Sequence, residues 1–121
     1  MINRQLKNNV IEIYEDDALV LMISETISGC TMLMRVFGKL KNTVAFELED
    51  ELMAALTVCD VIRVDMANVK YISGNALQSL LSVQRVIDEM NLTLTILSPS
   101  DEVQTVFDDC GFSGLLEVEY E

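Results

Sequence analysis

Apolar and polar residues alternate over Val10 to Tyr14 (VIEIY), the period of a strand with one buried and one wet face. Glu15-Asp16-Asp17 makes a turn, and Ala18 to Ser24 reads as the returning strand, so the front of the chain forms an N-terminal β-hairpin. Ser28-Gly29 marks another turn. Thr31 to Phe37 (TMLMRVF) predicts a further strand, broken by Gly38. From Thr43 the period lengthens. Ala45, Leu48, Leu52, Ala55 and Leu56 fall at helical spacing, Asn42 or Thr43 supplies the cap, and Glu47, Glu49, Asp50 and Glu51 cover the outer side with charge that favours a helix N-terminal half. That helix is expected to end near Thr57.

Val61 to Met66 (VIRVDM) is a short β-branched run suited to a buried strand, and the helical patterns on both sides of it imply parallel pairing. A short polar turn is expected next. Leu77, Leu80, Leu81, Val83, Val86, Ile87 and Met90 then make a wide apolar stripe, predicting a helix over about 75–89. Leu92 to Leu97 reads as a strand. Ser98 or Ser100 caps a last helix with Pro99 in its first turn, Val103, Val106 and Phe107 inward and Gly111 at its end. Leu115 to Val118 adds a final short strand. The order predicts an α/β domain, a mixed β-sheet packed against three to four α-helices with right-handed parallel crossovers.

Half of the 121 residues are apolar, enough for one domain, 1–121, to bury a core without metals or disulfides. The longest apolar runs fall far short of the roughly 20 residues of a membrane span, and the polar start MINRQLKNN has no apolar stretch behind its basic residues. A cytoplasmic protein that is not exported is the expectation. Twenty acidic against eight basic residues give a formal charge of −12, which repels phosphate backbones and anionic lipid and argues against nucleic acid and membranes as partners. There is no histidine, which removes Ser-His-Asp and Cys-His constellations and His-based metal sites. No phosphate-binding loop or metal-ligand spacing is present either, so no enzyme activity, cofactor or metal is expected. Cys30, Cys59 and Cys110 read as small buried hydrophobes in a reducing compartment, and Met32, Met34, Met66 and Met90 fall at core positions.

Four segments together carry a family resemblance. RVDMANVKYISGNALQSLL, residues 63–81, resembles the signature of STAS domains of bacterial anti-sigma factor antagonists: a strand ending in Asp, a hydrophobic turn, then Ile/Met-Asp-Ser-Ser/Thr-Gly-Leu opening a helix. MRVFGKLKNTVAFELEDEL is similar to the family's strand, Gly-x-Leu and first amphipathic helix. NLTLTILSPSDEVQTVFDDCGF is similar to its last strand, Ser-Pro-Ser and final helix, and GLLEVEY to its tail. The recognisable core spans 31–118, with 1–24 as a strand extension before it. The resemblance implies an interaction module whose partner is an anti-sigma factor that is also an ATP-dependent serine kinase. In that family the kinase phosphorylates the serine after the signature aspartate and thereby ends binding.

Carried over by position, Ser73 falls on the family's aspartate, Gly74 on the phosphoacceptor serine, Asn75 on the following Ser/Thr and Ala76 on the glycine, while Asp65, Ile72 and Leu77 keep the pattern. Phosphoryl transfer needs a hydroxyl, and Gly74 has none. Ser73 has two readings, an N-cap worth about 1 kcal/mol or a displaced phosphoacceptor. Asn75 is an alternative cap. Gly74 either satisfies an unusual backbone conformation or keeps the helix entrance open for a partner's backbone. Asp65 either bonds a neighbouring loop or contacts a partner or metal, and Tyr71 either fills the core edge or contacts a partner.

Two functions follow. The first is a non-catalytic module docking an anti-sigma factor or related serine kinase through 73–77, with Asp65 and Tyr71 completing the candidate partner-binding set of Ser73, Gly74, Asn75, Ala76 and Leu77. The second is a scaffold or homodimer outside a sigma circuit, built through the N-terminal strands.

Overall fold

Asn8-Asn9 and Asp16-Asp17 all have positive φ, between 48° and 67°. Asn and Asp tolerate that region, and a pair of such residues makes a two-residue turn whose twist matches the flanking strands. In the computed structural model, which describes residues 1–120, these turns join β1 (Ile2–Lys7), β2 (Val10–Glu15) and β3 (Ala18–Ser28) into an antiparallel meander. A third turn, with Gly29 at φ 62°, leads into β4 (Thr31–Leu40). The direction then changes. β4, β5 (Val61–Ile72), β6 (Thr93–Leu97) and β7 (Val118–Glu119) run parallel, joined through α1 (Ala45–Ala55), α2 (Gly74–Met90) and α3 (Asp101–Asp109).

Strand order in the sheet equals chain order, β1 to β7. Right-handed crossovers that advance in one direction place their helices on one face, and burial agrees. Ile13, Leu21, Met34, Val64 and Ile96 on alternate strand positions join Leu48 and Leu52 of α1, Leu80 and Val83 of α2, and Val103 and Phe107 of α3 in a single core cluster. The other sheet face is half-exposed, with Glu12, Met22, Leu33 and Phe37 on it. The expected α/β architecture is therefore present, with three α-helices among the described residues.

Several expectations need correction. The strand extension holds one strand more than the hairpin: Ile2–Lys7 is an edge strand, and the predicted hairpin is two strands of a three-stranded meander. β3 runs on to Ser28, and β4 continues through Gly38 to Leu40. The turn expected after Met66 is strand, because β5 remains paired with β4 to Ile72. Its pleat is interrupted twice: Arg35 and Phe37 face Asp65 and Asn68, and Gly38 and Lys39 face Val69 and Tyr71. Each step inserts one extra β5 residue, a β-bulge, which puts two neighbouring side chains outward and mimics a turn in sequence. Neither Asn42 nor Thr43 caps α1, since no side-chain cap is made there. Ser100, not Ser98, caps α3 through Val103 N–H, so Pro99 precedes the cap. Cys30, Cys110 and Met90 are exposed, and only Cys59 of the cysteines is buried. The final strand is Val118–Glu119, so Leu115 lies before it.

Gly38 has φ +111°, and a Cβ there would lie 2.2 Å from the Val20 carbonyl oxygen of β3. Gly38→Ala is expected to cost roughly 2–4 kcal/mol in chemical denaturation, from backbone strain and the forced retreat of β3. A loss below about 0.5 kcal/mol would contradict the close approach.

Candidate functional site

β4 and β5 end side by side at Leu40 and Ile72, and the two helices that follow start at this rim. Ser73 N–H donates to the Leu40 carbonyl at 2.9 Å, which ties the start of α2 to the end of β4. Ser73 is extended (φ −85°, ψ 166°), and its Oγ accepts a hydrogen bond from Ala76 N–H at 3.1 Å. Its carbonyl accepts from Leu77 N–H. At 3% exposure the residue is enclosed.

Gly74 is the first residue of α2, exposed, and not at positive φ. A Cβ on it would meet nothing within 4 Å. The backbone therefore does not require glycine here, and the expectation of an unusual conformation is corrected. Asn75 is exposed beside it, whereas Ala76 and Leu77 point into the core. Tyr71 is not core: half of it is exposed (50%). Asp65 lies eight residues before Ser73 on β5, roughly 20–25 Å away along the strand. Its Oδ1 accepts from Ala67 N–H at 2.9 Å, holding the first bulge. The fold thus brings Tyr71, Gly74 and Asn75 together at the surface, sets Ser73, Ala76 and Leu77 beneath them, and leaves Asp65 elsewhere.

Two hollows lie along this rim. One, of about 630 Å³, is lined by Lys39, Lys41, Asn42, Thr43, Lys70 and Tyr71. The other, of about 260 Å³, lies between the starts of α1 and α2, where Asn75 and Gln78 face Phe46 and Glu49. Phe46 is 69% exposed, an aromatic side chain standing free of the core. Sequence reading missed Phe46 and the lysines. The available signals were that Phe46 falls one position off the apolar stripe of α1, and that three of the four lysines lie at 39, 41 and 70.

A separate cavity, of about 530 Å³, lies between α1 and the meander, lined by Arg4, Leu6, Ile11, Glu25, Ile27 and Glu51 among others. Arg4 is shared by two carboxylates of α1, pairing with Glu51 and lying 3.6 Å from Glu47. Glu25 keeps a buried Oε1 without a hydrogen-bond partner. Burial raises its pKa above the ordinary carboxylate value, and the nearby Arg4 offsets this only in part.

The comparisons with known proteins agree with the fold. The family model described as Mlab, STAS domain matches residues 23–117, so the chain belongs to the STAS domain family. Its fold is that of anti-sigma factor antagonists. The unphosphorylated form of the anti-sigma factor antagonist SpoIIAA superposes with a TM-score of 0.69 at 17% identity, covering 82% of this chain and 89% of that one. The phosphorylated form of the Bacillus cell fate determinant SpoIIAA gives 0.63 at 16% identity, covering 82% and 92%. An anti-sigma factor antagonist from Mycobacterium paratuberculosis gives 0.72 at 11% identity, covering 81% and 84%. No curated protein matches the chain. No helix among the described residues is long and apolar enough to cross a membrane.

Two predictions arise. Ser73→Ala should lose about 1 kcal/mol of stability through the missing cap, while Gly74→Ser, entering open space on a helix, should be neutral or gain up to about 0.5 kcal/mol. Urea denaturation of both variants checks the contrast, and a strongly destabilised Gly74→Ser would refute it. For Glu25 the folded-state pKa is raised, so the folded chain binds the proton more tightly and stability falls as pH rises through that range. Glu25→Gln is therefore expected to raise the melting temperature at pH 7 and to leave it little changed below the carboxylate pKa. An equal shift at both pH values would show that the charge is not responsible.

Proposed function

We propose that this STAS domain is a non-catalytic protein-binding module that docks an anti-sigma factor or related serine kinase at the entrance of α2, and that Gly74 makes this docking insensitive to phosphorylation at the usual position. The observation that carries the reading is the placement of Gly74: exposed, first in α2, and surrounded by open space. A serine there would present its hydroxyl outward, next to helix N–H groups that favour a phosphate. Glycine keeps the surface and removes the acceptor atom. Ser73 is a poor replacement, because a kinase would have to draw an enclosed hydroxyl away from Ala76 N–H. Support by likeness comes from SpoIIAA, known in phosphorylated and unphosphorylated forms. Within 73–77, Gly74 and Asn75 face the partner, Tyr71 and Phe46 flank them as aromatic contacts, and Ser73, Ala76 and Leu77 act from below by fixing the helix. Asp65 shapes β5. The acidic surface suits a cytoplasmic protein that avoids nucleic acid and membranes.

A second reading, a homodimer or scaffold outside a sigma circuit, is favoured by one observation. β1 lies at the edge of the sheet with Leu6 72% exposed, an unblocked row of backbone groups that a second copy could extend. Affinity capture from the native cytoplasm, with wild type and Gly74→Ser as bait and intact-mass measurement of each, separates the two. Retention of a serine kinase with anti-sigma activity, with phosphate gained by Gly74→Ser alone, is the expected result. Recovery mainly of the chain itself would give the second reading precedence, and phosphate on the wild-type segment would end the claim of insensitivity.

A further inference from the structure

The chain carries a net charge of −12, yet three of its four lysines line one crevice. The second bulge of β5 produces this convergence. Lys70 is the extra residue between Val69 and Tyr71, and Tyr71 is opposite Lys39, so side chains that strict alternation would send to opposite faces both reach the rim.

The crevice already holds a carboxylate at one edge. Lys41 Nζ lies 2.7 Å from Glu15 Oε1. Lys39 and Lys70 are exposed and make no hydrogen bond or ion pair among the described residues. Two helix starts adjoin them. Asn42 and Thr43 open the 3₁₀ turn (Asn42–Val44) that leads into α1, neither of these segments has a side-chain cap, and α2 begins three residues after Tyr71. The acidic remainder of the molecule does not cancel the local field of the lysines, because at physiological ionic strength charges more than about 8 Å away are largely screened.

Building on the reading of the α2 entrance as a docking face, we propose that this crevice receives an acidic segment of the partner protein, two of whose carboxylates pair with Lys39 and Lys70 while an apolar neighbour lies on the ring of Tyr71. Glu15 is the precedent for the group that enters. A second copy of this chain is the weaker source, since it brings the same net negative charge toward its twin.

The test needs no identified partner. The ¹⁵N-labelled full chain is titrated with a synthetic peptide bearing paired glutamates beside a leucine, with the glutamine version of the peptide and inorganic phosphate as controls. Expected are saturable shifts confined to the amides of 39–43 and 70–75, absent with the glutamine peptide. In Lys39→Glu/Lys70→Glu, shown folded by an unchanged melting temperature, affinity should fall about tenfold or more. An affinity unchanged by that double substitution, shifts centred elsewhere, or equal shifts with phosphate alone would overturn the proposal. So would a wild-type dimer that the double substitution dissolves, since the crevice would then serve a second copy. Capture of the kinase equally by wild type and the double variant would remove the crevice from docking and leave the α2 reading standing. Peptide binding without kinase capture would do the reverse.

Discussion

β4 and β5 are paired along almost their whole length, and the two irregularities in that pairing determine much of the rest. The first, held by Asp65 and Ala67, shifts the strand so that its upper half extends beyond β6, whose pairing with β5 stops at Leu97. Backbone groups left without a neighbouring strand there are met by the loop before α3: Ser100 N–H donates to the Met66 carbonyl and Ser100 Oγ to the Val69 carbonyl. One serine therefore caps α3 and pins that helix to the exposed part of β5. The second irregularity fits against Gly38, where the β3 backbone comes too close for any side chain. With both in place, the ends of β4 and β5 coincide, and Leu40 can accept from Ser73 N–H. The start of α2 is thus fixed by strand pairing as well as by its own cap.

This explains what was legible in the sequence. Elements with strong periodicity, VIEIY in β2 and the apolar stripe of α2, sit where the pattern puts them because their burial is regular. β1 was invisible: INRQLK is an edge strand with almost no buried face, so its ordering comes from backbone pairing with β2 and from Arg4 reaching α1. The residues 67–71 misled for a different reason. A turn and a bulged strand both place adjacent polar side chains outward, and only the partner strand decides between them. Cys30 read as buried by composition, yet it occupies the tight turn between β3 and β4, where it is exposed.

The candidate site was half legible. Ser73, Gly74 and Asn75 could be placed at a helix start from local pattern and resemblance, since capping is a local property. Which neighbours face outward could not be read locally. Ala76 and Leu77 turn inward with the helix, Asp65 is held far down the strand, Phe46 arrives from α1, and Lys39 and Lys70 are brought to the rim by the β4–β5 pairing and its second bulge. The resulting surface joins exposed aromatic rings to a small basic island on an acidic molecule. Shape and charge at this rim are set by the same strand pairing that builds the core, so a change in the interior of β5 also alters this surface.

Because each strand lies beside the one that precedes it in the chain, no strand has to wait for a later one to find its place. A nascent chain leaving the ribosome N-terminus first can form the meander from short-range contacts, then add β5, β6 and β7 in turn as each crossover helix emerges. Growth in this direction keeps only one unfinished sheet edge open at the advancing end. The strand order is thereby compatible with assembly in the order of synthesis.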